Sequence, residues 1–391
     1  MLETLERAEE FGNDITVWRR DFHMHPELGF EEYRTSKRVA EILQEMGWNV
    51  KTNVGKTGVV ATLGEGSPVV AIRADMDALP ILEANEVEYA SQNEGKMHAC
   101  GHDSHTAMLL GVAKIFASMD ERPAGEIRLL FQPAEEMQDA EGKSGAYRMI
   151  EDGAMEGVDY VIAQHVASDL PAGKIVIEDE FITAACDQFY GKIIGKGCHA
   201  ASPHEGIDPI FIAAQVINAI QGVRSRRTNP VHPVVVTIGA IHGGTVENVI
   251  PKEVTLIGTI RTYDEDIRQQ TIQEVERAFS VAEAMGGTYE LDIVHGCPST
   301  YNAPKVSAVI RQTAVDLFGE DSILPMPAGL GGEDFSYMTQ KAPGAMFMLG
   351  AKKDDVDRPH HNPVFDLSEE TFPKGAALLA ETALRLLKNG A

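Results

Sequence analysis

The chain is 391 residues long, with 43% apolar and 24% charged residues, the composition of a folded protein long enough for more than one hydrophobic core. Its formal net charge of -25 and pI near 4.9 make a phosphate backbone a poor partner, so nucleic-acid binding is excluded from the leading functions. No stretch approaches the roughly 18 uninterrupted apolar residues of a membrane span, and the acidic N-terminus lacks an apolar signal core; together with four dispersed cysteines, Cys100, Cys186, Cys198 and Cys297, this predicts a reducing cytoplasmic setting.

Apolar residues at Val39, Ile42, Leu43 and Met46 predict an amphipathic helix from about Tyr33 to Met46, closed by Gly47. Short apolar runs predict strands over Val59 to Leu63, Val69 to Ala74, Glu126 to Phe131 and Tyr160 to Ala163, with a helix from His105 to Ser118 between them. Strands alternating with helices predict an α/β domain with a mostly parallel, helix-covered sheet. The rhythm then changes. Strand Gln188 to Lys196, helix Pro209 to Val223, strands Val234 to Ile241 and Val254 to Thr262, helix Ile267 to Met285 and strand Tyr289 to Val294 follow the β-α-β-β-α-β order of a ferredoxin-like domain. Helix Val306 to Phe318, strand Ala345 to Leu349 and a long helix from Ser368, its expected N-cap, to Leu387 return to the first pattern. The expected organisation is a catalytic domain of residues 1–184 and 296–391, interrupted by an inserted α+β lid of residues 185–295.

Chemistry-bearing residues gather at the predicted strand ends, where open α/β sheets place their sites. In MHACGHDSHTA, Cys100, His102, Asp103 and His105 lie between a strand region and a helix, and thiolate with imidazole is a donor set that zinc and related divalent ions select. LLFQPAEE ends in the adjacent carboxylates Glu135 and Glu136; beside a dinuclear site one binds a metal and the other accepts a proton from water. AQHV adds His165, and RPHHNPVFD adds His360 and His361. Cys100, His102, Glu136, His165 and one of the final histidine pair make five ligands, enough for two metals sharing a bridging group. Asp75 and Asp77 in RADMDALP are placed to orient metal-bound histidines. GGEDFSYM sets Glu333 and Asp334 beside the glycines 331 and 332, which permit close backbone approach.

HMHPELGFEE, RADMDALP, MHACGHDSHTA, LLFQPAEE, GGTVENVIP, GTIRTYDEDIR, GGEDFSYM and HHNPVFD, in order from about His23 to Asp366, resemble the successive motifs of the aminoacylase-like amidohydrolases, a metallopeptidase group. It includes hippurate hydrolases, N-acetyldiaminopimelate deacetylases and hydrolases of indoleacetate conjugates. The resemblance implies that Cys100 borders both metals, that His102, Glu136, His165 and His361 are the other ligands, and that Glu135 is the general base. More distant relatives carry Asp at the position of Cys100 and a His-x-Asp pair where this chain has Asp75 and Asp77. The softer ligation here leaves zinc, manganese, cobalt and nickel all eligible as the two divalent ions. In KGCHAASPH, His199 matches the family's lid histidine, with Cys198 before it where glycine is expected. Asn248 and Arg261 resemble lid residues that hold a substrate carboxylate, a task suited to a guanidinium.

The implied function is hydrolysis of N-acyl amino acids to a carboxylic acid and an amino acid, by a homodimer or homotetramer joined through the lid, with no membrane or nucleic-acid partner. A dipeptidase or aminopeptidase with the same metal site is the nearest alternative; it requires an acidic group for a free α-amine. A catalytically silent binding protein of the same fold is the alternative from another class, and the intact glutamate and ligand set argue against it.

Overall fold

The computed structural model describes residues 3–325 and 329–390, which divide into two compact units. One comprises Met1–Ile182, Tyr301–Pro327 and Asp334–Ala391; the other comprises Thr183–Thr300 and Ala328–Glu333.

The first unit is built on a seven-stranded sheet. Its centre is four parallel neighbours, Gly125–Gln132, Val69–Asp75, Tyr160–Ala167 and Gly344–Gly350. Antiparallel strands flank them: Gly58–Glu65 then Asn49–Val54 on one side, and Ile175–Val176 on the other. Val69–Asp75 is buried at every position, as expected of a strand covered on both faces. Alternate side chains supply two separate cores. Val70, Ile72, Leu129, Phe131, Ile162 and Phe347 join helices His102–Ala117, Pro304–Phe318 and Phe372–Asn389. On the opposite face, Ala71, Leu130, Val161, Ala163 and Met346 meet Met149, Phe335 and Met338.

The second unit carries a four-stranded antiparallel sheet in the order Val234–Gly243, Glu253–Thr262, Ala185–Ile194, Thr288–Val294. Helices Pro209–Gly222 and Glu265–Phe279 contribute Ile212, Val216, Val275 and Phe279 to a core with Phe189, Ile193, Leu256 and Ile260. Both helices start on an aspartate whose side chain accepts backbone N–H groups, Asp208 and Asp264, a use that satisfies otherwise unpaired donors.

Several element boundaries differ from the sequence expectation. The helix expected over Ile267 to Met285 starts at Glu265 under the Asp264 cap and ends at Phe279, with a separate turn over Val281–Ala284. Ser368 does not cap the final helix with its side chain; a 3-10 turn, Glu369–Thr371, intervenes, and the α-helix begins at Phe372 with Pro373 in its first turn, where proline's missing N–H costs nothing. Strand Tyr160–Ala167 runs on far enough to include His165. Among the described residues no helix is long and apolar enough to cross a membrane.

Candidate metal centre

The centre is assembled in the first unit, where the central strands end. Register places Asp75 beside Gln132, so Asp77 and the turn from Pro133 to Glu136 leave adjacent strands at the same level. On the next strand His165 is paired in register with Met348. Gly101, at a φ of +92°, turns the chain into helix His102–Ala117; an added Cβ there would lie 2.4 Å from Val166 Cγ2, so the helix start can approach the His165 strand only with glycine at this position. His102, Asp103 and His105 consequently lie within the helix's first turns, earlier than the expected start at His105.

The expected ligands form overlapping groups whose donor atoms lie within 4.8 Å of one another: Cys100 with His102 and His165, Cys100 with Glu136 and His361, and His102 with Glu135 and Glu136. Cys100 Sγ is thus shared between two groups, and it lies 3.5 Å from His165 Nε2. His361 Nε2 is 2.9 Å from Glu136 Oε1. The His360 ring is also close, with Nδ1 3.6 Å from Cys100 Sγ, while its Nε2 meets the Ser168 N–H at 3.4 Å. Of the pair, His361 is the one grouped with Glu136.

Hydrogen bonds on the far ring nitrogens set which nitrogen faces the cluster. His102 Nδ1 lies 3.0 Å from both the carbonyl and the carboxylate of Asp77, and two acceptors require the proton on Nδ1. Its buried Nε2 has no oxygen or nitrogen hydrogen-bond partner among the described residues, the state of an imidazole presenting a lone pair to a metal. His165 Nδ1 likewise donates to the Val166 carbonyl at 2.7 Å. A thiol, imidazoles and carboxylates converging with a buried ring nitrogen aimed among them fit a divalent-metal site.

The titratable groups of the cluster are strongly perturbed by one another. Burial alone would raise the Cys100 thiol, but the His165 and His102 rings hold it well below its ordinary value. Hydrogen bonds to Cys100 and Glu136 push the His361 imidazole up to about 10. The thiol and carboxylates thus hold protons on the neighbouring imidazoles, His102 included, whose value, against burial, is raised by Asp75, Cys100 and Asp77, charges that a bound divalent cation would replace.

Asp77 takes the expected supporting position on His102, and its other oxygen accepts the Glu136 N–H at 3.0 Å. Asp75 reaches both histidines of the helix, with its second oxygen 3.6 Å from His102 Nε2. Its short bond, 2.6 Å, is to His105 Nδ1, and the Arg73 guanidinium pairs with its second oxygen at 2.8 Å. His105 Nε2 accepts the Val166 N–H at 2.9 Å, so both nitrogens are committed within the protein; burial pushes this imidazole down to about 4 against the pull of Asp75. His105 ties the helix to the His165 strand.

Sequence reasoning passed over two buried networks around the centre. Arg19, fully buried, binds Asp103 at 2.8 Å and Asp366 at 3.1 Å, and His23 joins Asp103 to Glu83. This network braces the start of the ligand-bearing helix and the chain just after His361. Asp334 accepts from Gln132 at 2.8 Å and from Arg73 at 3.1 Å, fixing the strand end that leads into Pro133. His23, Asp103 and Asp366 fall in motifs singled out in the sequence, but their joining through Arg19 was not encoded locally.

Within the second unit, Cys198–His199 pairs antiparallel with Val249–Ile250, and the Ala200 N–H donates to the Asn248 carbonyl at 3.0 Å. His199 and Asn248 are therefore neighbours on one exposed ribbon. His199 Nδ1 accepts the Ala201 N–H at 3.0 Å, which leaves the ring proton on Nε2. Arg261 is opposite Cys186 in register and its guanidinium donates to that sulfur. A hydrogen bond from Cys297 lowers the Cys186 thiol to about 7 against burial, and Arg261 adds to the effect.

Residues 71–385 match the profile of Peptidase family M20/M25/M40. The chain is 40% identical over 395 residues to a thermostable carboxypeptidase of Saccharolobus solfataricus, covering 98% of this chain and 99% of the relative. It is 47% identical over 292 residues to an N-acyl-L-amino acid amidohydrolase of Geobacillus stearothermophilus, covering 74% and 78%. A crystal structure of a Bacillus subtilis dinuclear metal-binding peptidase of the M20 family superposes with a TM-score of 0.84 at 33% identity, over 97% of this chain and 99% of that one.

Proposed function

The chain belongs to Peptidase family M20/M25/M40 and is a metal-dependent amidohydrolase, and we propose that it cleaves N-acylated amino acids at a dinuclear site held by Cys100, His102, Glu136, His165 and His361. The observation that carries this reading is the sharing of Cys100 between two ligand groups, each completed by different residues. The mixed thiolate, imidazole and carboxylate set suits zinc, manganese, cobalt or nickel.

When bound, two such ions supply Lewis acidity toward the scissile carbonyl and make a water acidic near neutral pH. Glu135, whose carboxylate lies within 4.8 Å of donor atoms on His102 and Glu136, takes the proton of the attacking water and delivers it to the leaving amine nitrogen. Asp77 and the Val166 carbonyl fix the His102 and His165 rings through Nδ1, leaving Nε2 toward the Cys100 cluster. Asn248 and Arg261 hold the α-carboxylate of the released amino acid. We also propose that two copies join through the inserted unit, and that His199 of one copy donates its Nε2 proton to the oxyanion developing in the other.

A carboxypeptidase reading shares all of this chemistry, and the 40% identity to the Saccharolobus protein favours keeping it in view; an N-acyl amino acid is the smallest substrate with a blocked amine and a free carboxylate. A substrate panel separates the readings. Hippurate and N-acetylmethionine are expected to be hydrolysed with kcat/KM about 10²-fold or more above unblocked dipeptides, because no acidic group is assigned to a free α-amine. Faster turnover of unblocked dipeptides would instead establish a dipeptidase.

A further inference from the structure

The turn that presents Glu135 and Glu136 is strained. Ala134 has a φ of +42°, a conformation that costs an L-residue energy and persists only where surroundings enforce it. Three contacts do so. The Gly145 N–H donates to the Ala134 carbonyl at 2.9 Å, and Gly145 is packed so tightly that a Cβ there would lie 1.6 Å from the Pro133 carbonyl oxygen. Asp77 accepts the Glu136 N–H. The Ala134 N–H, buried, donates to Glu32 Oε1 at 2.8 Å.

Glu32 stands at the N-cap of helix Tyr33–Glu45, yet its side chain makes no capping bond there. Glu27 takes that task, accepting the Arg34 and Thr35 N–H groups at 3.0 and 2.8 Å. Glu32 is thereby released to reach Ala134, more than a hundred positions away, where its second oxygen accepts from the buried Thr57 hydroxyl. It is 0% exposed and is paired with no Lys or Arg among the described residues. A carboxyl kept buried without a cation is costly, and besides its own N–H the backbone group it satisfies lies in the turn carrying the general base.

We infer that Glu32 is a positioning residue that, through the Ala134 N–H, holds the Glu135–Glu136 turn in its active geometry. The inference rests on the proposed roles of those two glutamates. The distance matters because a shift of about 1 Å in a positioned group costs on the order of 10² in rate.

The test compares Glu32→Ala with Glu32→Gln, whose amide oxygen can still accept from Ala134. Amide hydrogen exchange of the segment 132–137, read by mass spectrometry, is independent of activity. It is expected to accelerate at least about tenfold in Glu32→Ala and to stay near wild type in Glu32→Gln. On N-acetylmethionine, kcat is expected to fall about 10²-fold in Glu32→Ala with KM within about threefold, and to be largely rescued in Glu32→Gln. Should the alanine variant not fold, Thr57→Val, which removes the other bond to the same carboxyl, is expected to show the intermediate effect in both measurements. Unchanged exchange in Glu32→Ala, or equal damage by alanine and glutamine, overturns the inference. A wild-type enzyme inactive on N-acyl amino acids overturns the substrate reading instead and leaves the exchange result to decide on Glu32.

Discussion

Glu135→Gln is expected to lower kcat by about 10²–10⁴ or more while leaving metal content and fold intact, because glutamine is isosteric but cannot accept the water's proton. Glu136→Gln is expected to differ in kind. Glu136 shares its donor group with Cys100 and His361, so its loss is expected to lower metal affinity, with activity recovering in part at high metal concentration. The two residues are adjacent and similarly placed at a strand end, which makes the comparison sharp: a merely structural pair would give equal effects. Steady-state kinetics and elemental analysis of both variants check the assignment. Near-normal turnover by Glu135→Gln would move the base elsewhere.

The second large effect concerns His199. His199→Ala is expected to lose about 10²–10³ in kcat through loss of an oxyanion donor, although the residue lies on an exposed ribbon of the inserted unit. Because the proposed recipient is another copy's site, mixing distinguishes it from any role within one chain. His199→Ala and Glu135→Gln chains, each nearly inactive alone, are expected after co-refolding to regain roughly a quarter of wild-type activity, since half the dimers are mixed and each has one complete site. Failure to regain activity, with mixed dimers verified, would place His199 outside the partner's chemistry.

The ligand candidates were legible in the sequence because each has metal-binding chemistry of its own and lies in a motif at a predicted strand end, before a predicted helix or in a loop, in an order that resembles the family's. Glu135, Glu136 and His165 sit at strand ends, Cys100 and His102 at a helix start, and the resemblance supplied their expected roles. What surrounds them was not legible. Arg19 meets Asp103 and Asp366 across 84 and 347 positions, and Glu32 meets Ala134 across 102; no local periodicity encodes partners that only tertiary packing brings together. His102 and His105 show the same limit at short range. They are identical side chains on one helix turn, yet the Asp77 bonds leave one Nε2 aimed into the cluster while Asp75 and the Val166 N–H use up both nitrogens of the other. Asp75, expected to orient a ligand, makes its short bond to His105 while its other oxygen lies 3.6 Å from His102 Nε2. Helix ends were misplaced where apolar periodicity continues past a break, as at Ser280 between Phe279 and Val281.

The most direct test of the account is metal content measured together with N-acetylmethionine hydrolysis, in protein stripped by chelation and then reloaded. About two divalent ions per chain are expected, with activity lost on stripping and regained as the ions return, and with Cys100→Ala retaining fewer ions than wild type. Undiminished hydrolysis by stripped protein, or unchanged metal stoichiometry and affinity in Cys100→Ala, would contradict a dinuclear centre built around Cys100.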